Sequence, residues 1–424
     1  MSFVPPGAHV SPQYFRLLYT FSIRLEVIIK YELADYDILP TSFDTFQTGV
    51  IYDRVYKVFQ EAGLPMHPEG PFLCNYKQWV LDSTPYCDSD YHDDVYGYTA
   101  LGIETPVLRF SRSSGFDSFE QIRYALQVLN GHFEVTSNKT CGMSVRVGAV
   151  TDPQVPDYQY SRSFPLRTLR NLLQLVTLCE QEINGLHPLH RCKLGWGVNP
   201  SKVLLQTDAI ARMEQCRTFA DLYLLWMNAD PARKEPDPPW HIEQGEFRYC
   251  PPAVNCNGLL SEEDGVGGRS QRMIEFLQHE GTVDFDAICH WTKTVIRFIQ
   301  FSHECGPNGL PLWLYHVVDQ KRKNPDTNPF DTISFLRMIG ANEQARYYET
   351  KGTYQHPPVK NHQLHPLNSS DTADPALLVP PDNLDANWAQ IETWPDVPCH
   401  PENDLEKPID GSNWPDLLYR DVEY

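Results

Sequence analysis

Three stretches of the chain alternate charged and apolar side chains, and they hold the residue types best suited to chemistry. In Phe21 to Ile29, Phe21, Ile23, Leu25, Val27 and Ile29 point one way while Ser22, Arg24 and Glu26 point the other. In Met143 to Ala149, Met143, Val145, Val147 and Ala149 share a face opposite Ser144 and Arg146. In Arg272 to His279, Glu275 stands opposite Ile274 and Phe276. Each strand offers one polar face. Taken alone, a glutamate at such a place is more often a solvated strand residue than a ligand. Other reactive types lead nowhere by spacing. His187 and His190 stand at i, i+3 with no second pair for zinc, and Cys141 lacks a catalytic histidine pattern. GVGG at 265–268 follows Ser-Glu-Glu-Asp and reads as a solvated turn, and no GxxxxGK[ST] loop occurs.

Helices must position these strands. Ser118-Phe-Glu-Gln121 reads as a capping box, followed by a stripe of Phe119, Ile122, Leu126 and Leu129 and a C-terminal cap at Gly131. Pro165 to Glu182 repeats leucine at helical spacing and ends near Gly185. Further helices are expected at 218–227, at 285–301 with Ile288, Trp291, Val295 and Phe298 on one side, and at 331–339. Strands and helices interspersed in this way predict an α+β fold.

With 424 residues, 41% hydrophobic and 12% aromatic, the chain can bury a large core. A net charge of −20 disfavours phosphate backbones and anionic lipid, so neither a nucleic acid nor a membrane is expected as a partner. The N-terminus has no basic region followed by an apolar run, and Arg24 and Glu26 interrupt the apolar segment after Leu17. Eleven scattered cysteines fit neither a disulfide framework nor a paired zinc site. Together these predict a soluble, cytoplasmic protein with reduced thiols, in which the sequons at Asn138 and Asn368 are accidental. The expected organisation is an extension over 1–15, a domain over 16–353 and an acidic tail over 354–424. Residues 364–424 hold 13 Asp and Glu against two basic residues, and Trp-Pro-Asp recurs at Trp394 and Trp414. This reads as a disordered tail, or a strip packed back on the domain, able to dock a protein partner.

Six ordered blocks carry a resemblance. They are GIETPVLRF (102–110), FEQIRYALQVLNGHFEVTSNKTCGMSVRVG (119–148), FPLRTLRNLLQLVTLCEQEINGLHPLHR (164–191), Tyr249-Cys-Pro-Pro-Ala-Val-Asn255, RMIEFLQHEGTVDFDAICHWTKTVIRFIQF (272–301) and NPFDTISFLRMIGANEQARYY (328–348). Over roughly residues 16 to 350 the chain resembles the fungal-type amidoligases of the glutamine-synthetase-like carboxylate–amine ligase superfamily. The resemblance implies a mostly antiparallel sheet flanked by helices. It also implies ATP-dependent formation of an amide or peptide bond through an acyl phosphate, from small-molecule or peptide carboxylate and amine substrates. ATP and Mg²⁺ are the implied cofactors, with carboxylates on the metal and arginines on the transferring phosphoryl group.

Carried over residue by residue, Glu26 matches the second acid of the family's Glu-x-Glu strand, Glu104 the acid of Glu-x-x-Ser-Pro and Glu275 the acid of Glu-Phe-Arg. The resemblance makes these three the metal ligands. Arg191, closing Leu-His-Pro-x-x-Arg, contacts phosphate or a substrate carboxylate, and Glu275 with Arg272 completes the catalytic set. Arg24, Arg146, Gln278 and His279 are the implied cofactor-binding residues. Asp82, after Trp79, resembles the family's Trp…Asp-x-Ser block at a shorter spacing.

The departures all lie on the polar face. Arg24 replaces the first acid of Glu-x-Glu, Ser144 and Arg146 replace the histidines of His-Val-His, and Leu277 replaces the arginine of Glu-Phe-Arg. A guanidinium in place of a carboxylate repels a divalent ion, so at least one metal site is expected to be weakened or lost. The two arginines either hold phosphates in the metal's stead or pair with Glu26 and Glu104 in an inactive amidoligase-like binding or scaffold protein.

Overall fold

The computed structural model describes residues 17–36, 45–67, 78–82, 95–110, 118–151, 164–193, 200, 209–226, 240–243, 246–249, 252–256, 259, 273–305, 309–323 and 330–356. Its elements run β1 (Leu17–Glu32), α1 (Thr45–Glu61), β2 (Val80–Asp82), β3 (Tyr96–Glu104), β4 (Leu108–Phe110), α2 (Ser118–His132), β5 (Glu134–Thr136) and β6 (Gly142–Thr151). There follow α3 (Leu166–Leu178), α4 (Glu180–Asn184), α5 (Leu189–Lys193), α6 (Ala209–Gln215), α7 (Phe219–Trp226), the hairpin β7 (Trp240–Glu243) and β8 (Glu246–Tyr249), and β9 (Val254–Asn255). The last are β10 (Met273–Glu280), α8 (Phe285–Glu304), α9 (Leu312–Lys323), α10 (Thr332–Met338) and α11 (Asn342–Lys351).

The fold is α+β. One sheet runs in the order β2-β3-β1-β6-β10-β9, with β4 and β5 also paired to β1, and every one of these pairings is antiparallel. The expected alternation is the physical basis of its two faces. Phe21, Ile23, Leu25, Val27, Ile29, Met143, Val145, Val147, Ile274 and Phe276 all enter one apolar core shared with the helices. Burying a side chain of this size contributes about 1.5–3 kcal/mol, so a one-residue register slip would transfer that whole set to the wrong face. Against this core lies α8, whose stripe of Ile288, Trp291, Val295 and Phe298 is fully buried and whose N-terminus is capped by Asp284, accepting from the Asp286 and Ala287 amides.

Several expectations are corrected. Ser118 lies inside α2 and its hydroxyl donates to the Arg109 carbonyl at 2.7 Å, while Gly131 is helical and the helix continues to His132. Phe133 N closes the last turn on the Leu129 carbonyl at 3.0 Å before β5 begins. The helix expected over 165–182 is two helices, broken at Cys179 (φ −101°, ψ 26°). The start of the expected tail is packed back on the domain. Residues 354–356 are hydrogen-bonded to the domain, through Tyr354 N to Gly185 O at 2.8 Å and His356 Nε2 to His187 O at 2.8 Å. The expected extension at 1–15, the GVGG turn and the tail beyond residue 356 lie outside the described residues. Among the described residues no helix is long and apolar enough to cross a membrane.

Candidate functional site

The second face of the sheet carries the charges. Register places Arg146 opposite Glu275 and Ser22, Arg24 opposite Glu104 and Ser144, and Glu275 opposite Asn255. Side chains directly opposite one another on antiparallel strands point to the same side and interact, so five strands bring these groups onto one surface. Ser22 and Ser144 are small and buried, which lets the long guanidinium arms lie across them.

Arg146 is the hub. Its Nε donates to Glu275 Oε1 at 3.0 Å and its Nη1 donates to Glu104 Oε1. Glu104 belongs to β3, two strands from β6, so the arginine reaches over β1 to close this pair. Asn255 Nδ2 donates to the other oxygen of Glu275 at 3.1 Å. Burial pushes the Glu275 carboxyl up, but the Arg146 charge and the hydrogen bonds from Arg146 and Asn255 outweigh it and hold the group below its ordinary value.

A second set adjoins it. Arg24 Nη2 donates to Asp82 Oδ2 at 2.7 Å and lies 3.8 Å from Glu26 Oε1. Gly102 stands opposite both Glu26 and Asp82, and a Cβ there would meet the Asp82 Cβ at 3.1 Å and Arg24 Nη2 at 3.5 Å. Glu26 Oε2 accepts from the Gly142 amide at 2.9 Å. Gly142 is a clearance residue as well, since its Cβ would meet Arg191 Nη2 at 2.8 Å. Arg191 lies inside α5, and its Nη2 donates to the Leu277 carbonyl at 2.9 Å. Burial pushes its guanidinium down to about 10, opposed by the charge of Glu26. Asp82, Asn255, Gly102 and Gly142 thus belong to the site. Of these only Asp82 stood out in the sequence, because a lone chain does not separate a clearance glycine from a turn glycine.

The structure therefore brings together Arg24, Glu26, Glu104, Arg146, Arg191 and Glu275. It sets His279 within reach of the Arg191 charge but off the face that carries the carboxylates. A one-residue bulge between Phe276 and His279 shifts the register of β10, pairing His279 with Met143, a residue of the apolar core. The simple alternation that placed His279 beside Glu275 is interrupted, and the imidazole packs with His187 and Trp291. Gln278, beside the bulge, is buried. Arg272 lies outside the described residues.

No protein-family model and no curated protein matches this sequence.

The donor set can be weighed against the implied Mg²⁺ and ATP on geometry. Glu104 and Glu275 are joined through one guanidinium, Glu26 accepts from a backbone amide, and Asp82 is drawn to Arg24. Among the described residues no three His, Cys, Asp or Glu side chains are grouped to hold a metal ion. A divalent cation approaching these carboxylates meets Arg146 and Arg24 at their oxygens, a repulsion that grows as the surroundings lose water. Arg24 is engaged by Asp82, Arg146 by Glu104 and Glu275, and one nitrogen of Arg191 by the Leu277 carbonyl. Among the described residues, carboxylates paired in this way do not fit Mg²⁺–ATP.

Proposed function

We propose that this chain is an amidoligase-like protein of glutamine-synthetase-like architecture that acts as a binding or scaffold protein and not as an ATP-dependent ligase. The observation that carries this reading is Arg146 held between Glu104 and Glu275. In a ligase of the resembled type, those two carboxylates would bear the metal that neutralises the triphosphate. Here a fixed positive charge meets the same electrostatic demand without any ion. The Arg24–Asp82 pair supports the reading, since it engages the guanidinium that replaces the leading acid of the first strand.

Isothermal titration of the pure full chain with ATP at millimolar Mg²⁺ tests it. No Mg²⁺-dependent heat of binding is expected. Mg²⁺-dependent ATP binding, together with amide formation coupled to ADP release and abolished by Glu275→Gln, would overturn it and restore the ligase.

A further inference from the structure

At the turn between α4 and α5, His187 is fully buried, and neither of its ring nitrogens has a hydrogen-bond partner. Its ring meets Trp291 edge-on, with centroids 4.5 Å apart at 89°, and His279 at 5.7 Å and 82°. The titratable and charged groups facing it are His279 from β10, Arg191 from α5 and His356 from the C-terminal segment. Behind them, Glu26 and Glu280 act on Arg191. Such an environment accepts a neutral imidazole only. A protonated ring would bring two N–H donors and no acceptor into a desolvated pocket beside a guanidinium.

The backbone of the same turn holds the end of the described chain. After α11, Gly352 adopts φ +95°, a conformation that favours glycine, and turns the chain back. Tyr354 N then donates to Gly185 O at 2.8 Å, Tyr354 Oη donates to Glu280 Oε1 at 3.3 Å, and His356 Nε2 donates to the His187 carbonyl at 2.8 Å. Residues 352–356 thus form a strap, two of whose anchors are carbonyls of the turn that carries His187.

We propose that the 352–356 strap is a proton-operated latch, closed while His187 is neutral and released when that ring takes up a proton and must leave its pocket. Ejecting the ring moves the 185–187 carbonyls, and both backbone anchors of the strap go with them. The histidine's proton affinity agrees with this geometry. Burial first, then the charges of His279, Arg191 and His356, hold His187 well below the usual histidine value, and burial lowers His279 to about 4. In the open form His187 regains a value near 6.5, so the open form binds more protons and gains as pH falls below that point. For one such histidine the open-to-closed ratio rises on the order of 25-fold between about pH 7 and about pH 5.

Hydrogen exchange read by mass spectrometry on the full chain at these two pH values, normalised for intrinsic exchange, measures that ratio. Protection is expected to fall by about that factor in 185–193 and 352–356, and to hold in β1 and β6. His187→Phe, which keeps aromatic volume, and His187→Gln should each remove the pH dependence, whereas His356→Gln should retain it. Equal protection at both pH values in the unmodified protein, or pH dependence surviving both His187 variants, would overturn the latch. The unmodified chain also decides the matter should the variants not fold. An NMR titration placing the closed-state His187 ring at its ordinary proton affinity overturns the proposal, and a ring that stays neutral to below pH 5 supports it.

Discussion

Arg146 and His187 are both basic side chains drawn into the fold, the first part-buried and the second fully buried, and the molecule treats them in opposite ways. Arg146 keeps its charge and receives two carboxylates, Glu104 and Glu275, from different strands. His187 receives no hydrogen-bond partner at either ring nitrogen and is held neutral. The difference follows from what each group can give up. A guanidinium does not lose its proton in a protein, so burying it requires matching charge, whereas an imidazole escapes the cost by deprotonating. The sheet can supply charge to Arg146 because antiparallel register fixes which residues face one another. The turn at His187 supplies only rings and a second cation. One region is therefore a closed electrostatic unit over the neutral pH range, and the other is poised to respond to acid.

The largest effect is expected from breaking the matched unit. Arg146→Met leaves the part-buried Glu104 and Glu275 without their shared cation, and should cost about 3 kcal/mol in urea unfolding at neutral pH, the low end for a buried pair. Adding Glu104→Gln and Glu275→Gln should recover part of that loss, because the uncompensated carboxylates, more than the missing contact, are what destabilise the single variant. A loss below about 1 kcal/mol would put Arg146 on the footing of a surface pair and dissolve the contrast.

A smaller effect sharpens the same contrast along the pH axis. Glu275 has its proton affinity lowered in the fold, so its contribution is present above the ordinary carboxylate range and disappears as pH falls through its folded value. The buried histidines have lowered affinities too, but they lose stability from about 6.5 downward, because the unfolded chain binds the protons first. Glu275→Gln should cost about 1–3 kcal/mol at pH 7 and flatten the acid limb of a plot of thermal midpoint against pH. The limb that begins near 6.5 should remain. Loss of both limbs together would mean that the two regions titrate as one.

The smallest effect is a control. Lys30 Nζ donates to Glu134 at 2.9 Å, yet the Glu134 side chain is 68% exposed. Glu134→Gln should leave the urea midpoint unchanged within error, since an exposed pair is screened and its side chains lose freedom on pairing. A clear shift there would show that geometry alone, without burial, gives these pairs their strength.

Much of the fold was legible from period. The five apolar residues of Phe21–Ile29 and the stripe of α8 lie where alternation and helical spacing put them, because a repeating pattern commits a segment to one buried face. Helix α1 was not legible. Its sequence, TFQTGVIYDRVYKVFQE, contains a glycine and several β-branched and aromatic residues, and packing of Ile51, Val55, Val58 and Phe59 into the core overrides that propensity. The break at Cys179 was hidden as well, because neither glycine nor proline marks it and Ile183 carries the apolar pattern past it in sequence.

For the site, the chain by itself determined which strands would carry charge and which face would carry it, since the side-chain period of two leaves Arg24, Glu26, Arg146 and Glu275 no other side of their strands. Partner choice was a tertiary matter. That Arg24 takes Asp82, that Arg146 reaches past β1 to Glu104, and that Gly102 and Gly142 clear space for these arms depend on the order and register of strands distant in sequence. The placement of His279 was also decided there, by one extra residue in β10 that turns it from the charged face to the aromatic core. The physical reason is the same throughout. Periodicity is a property of a single segment, whereas the compensation of a buried charge is a property of at least two.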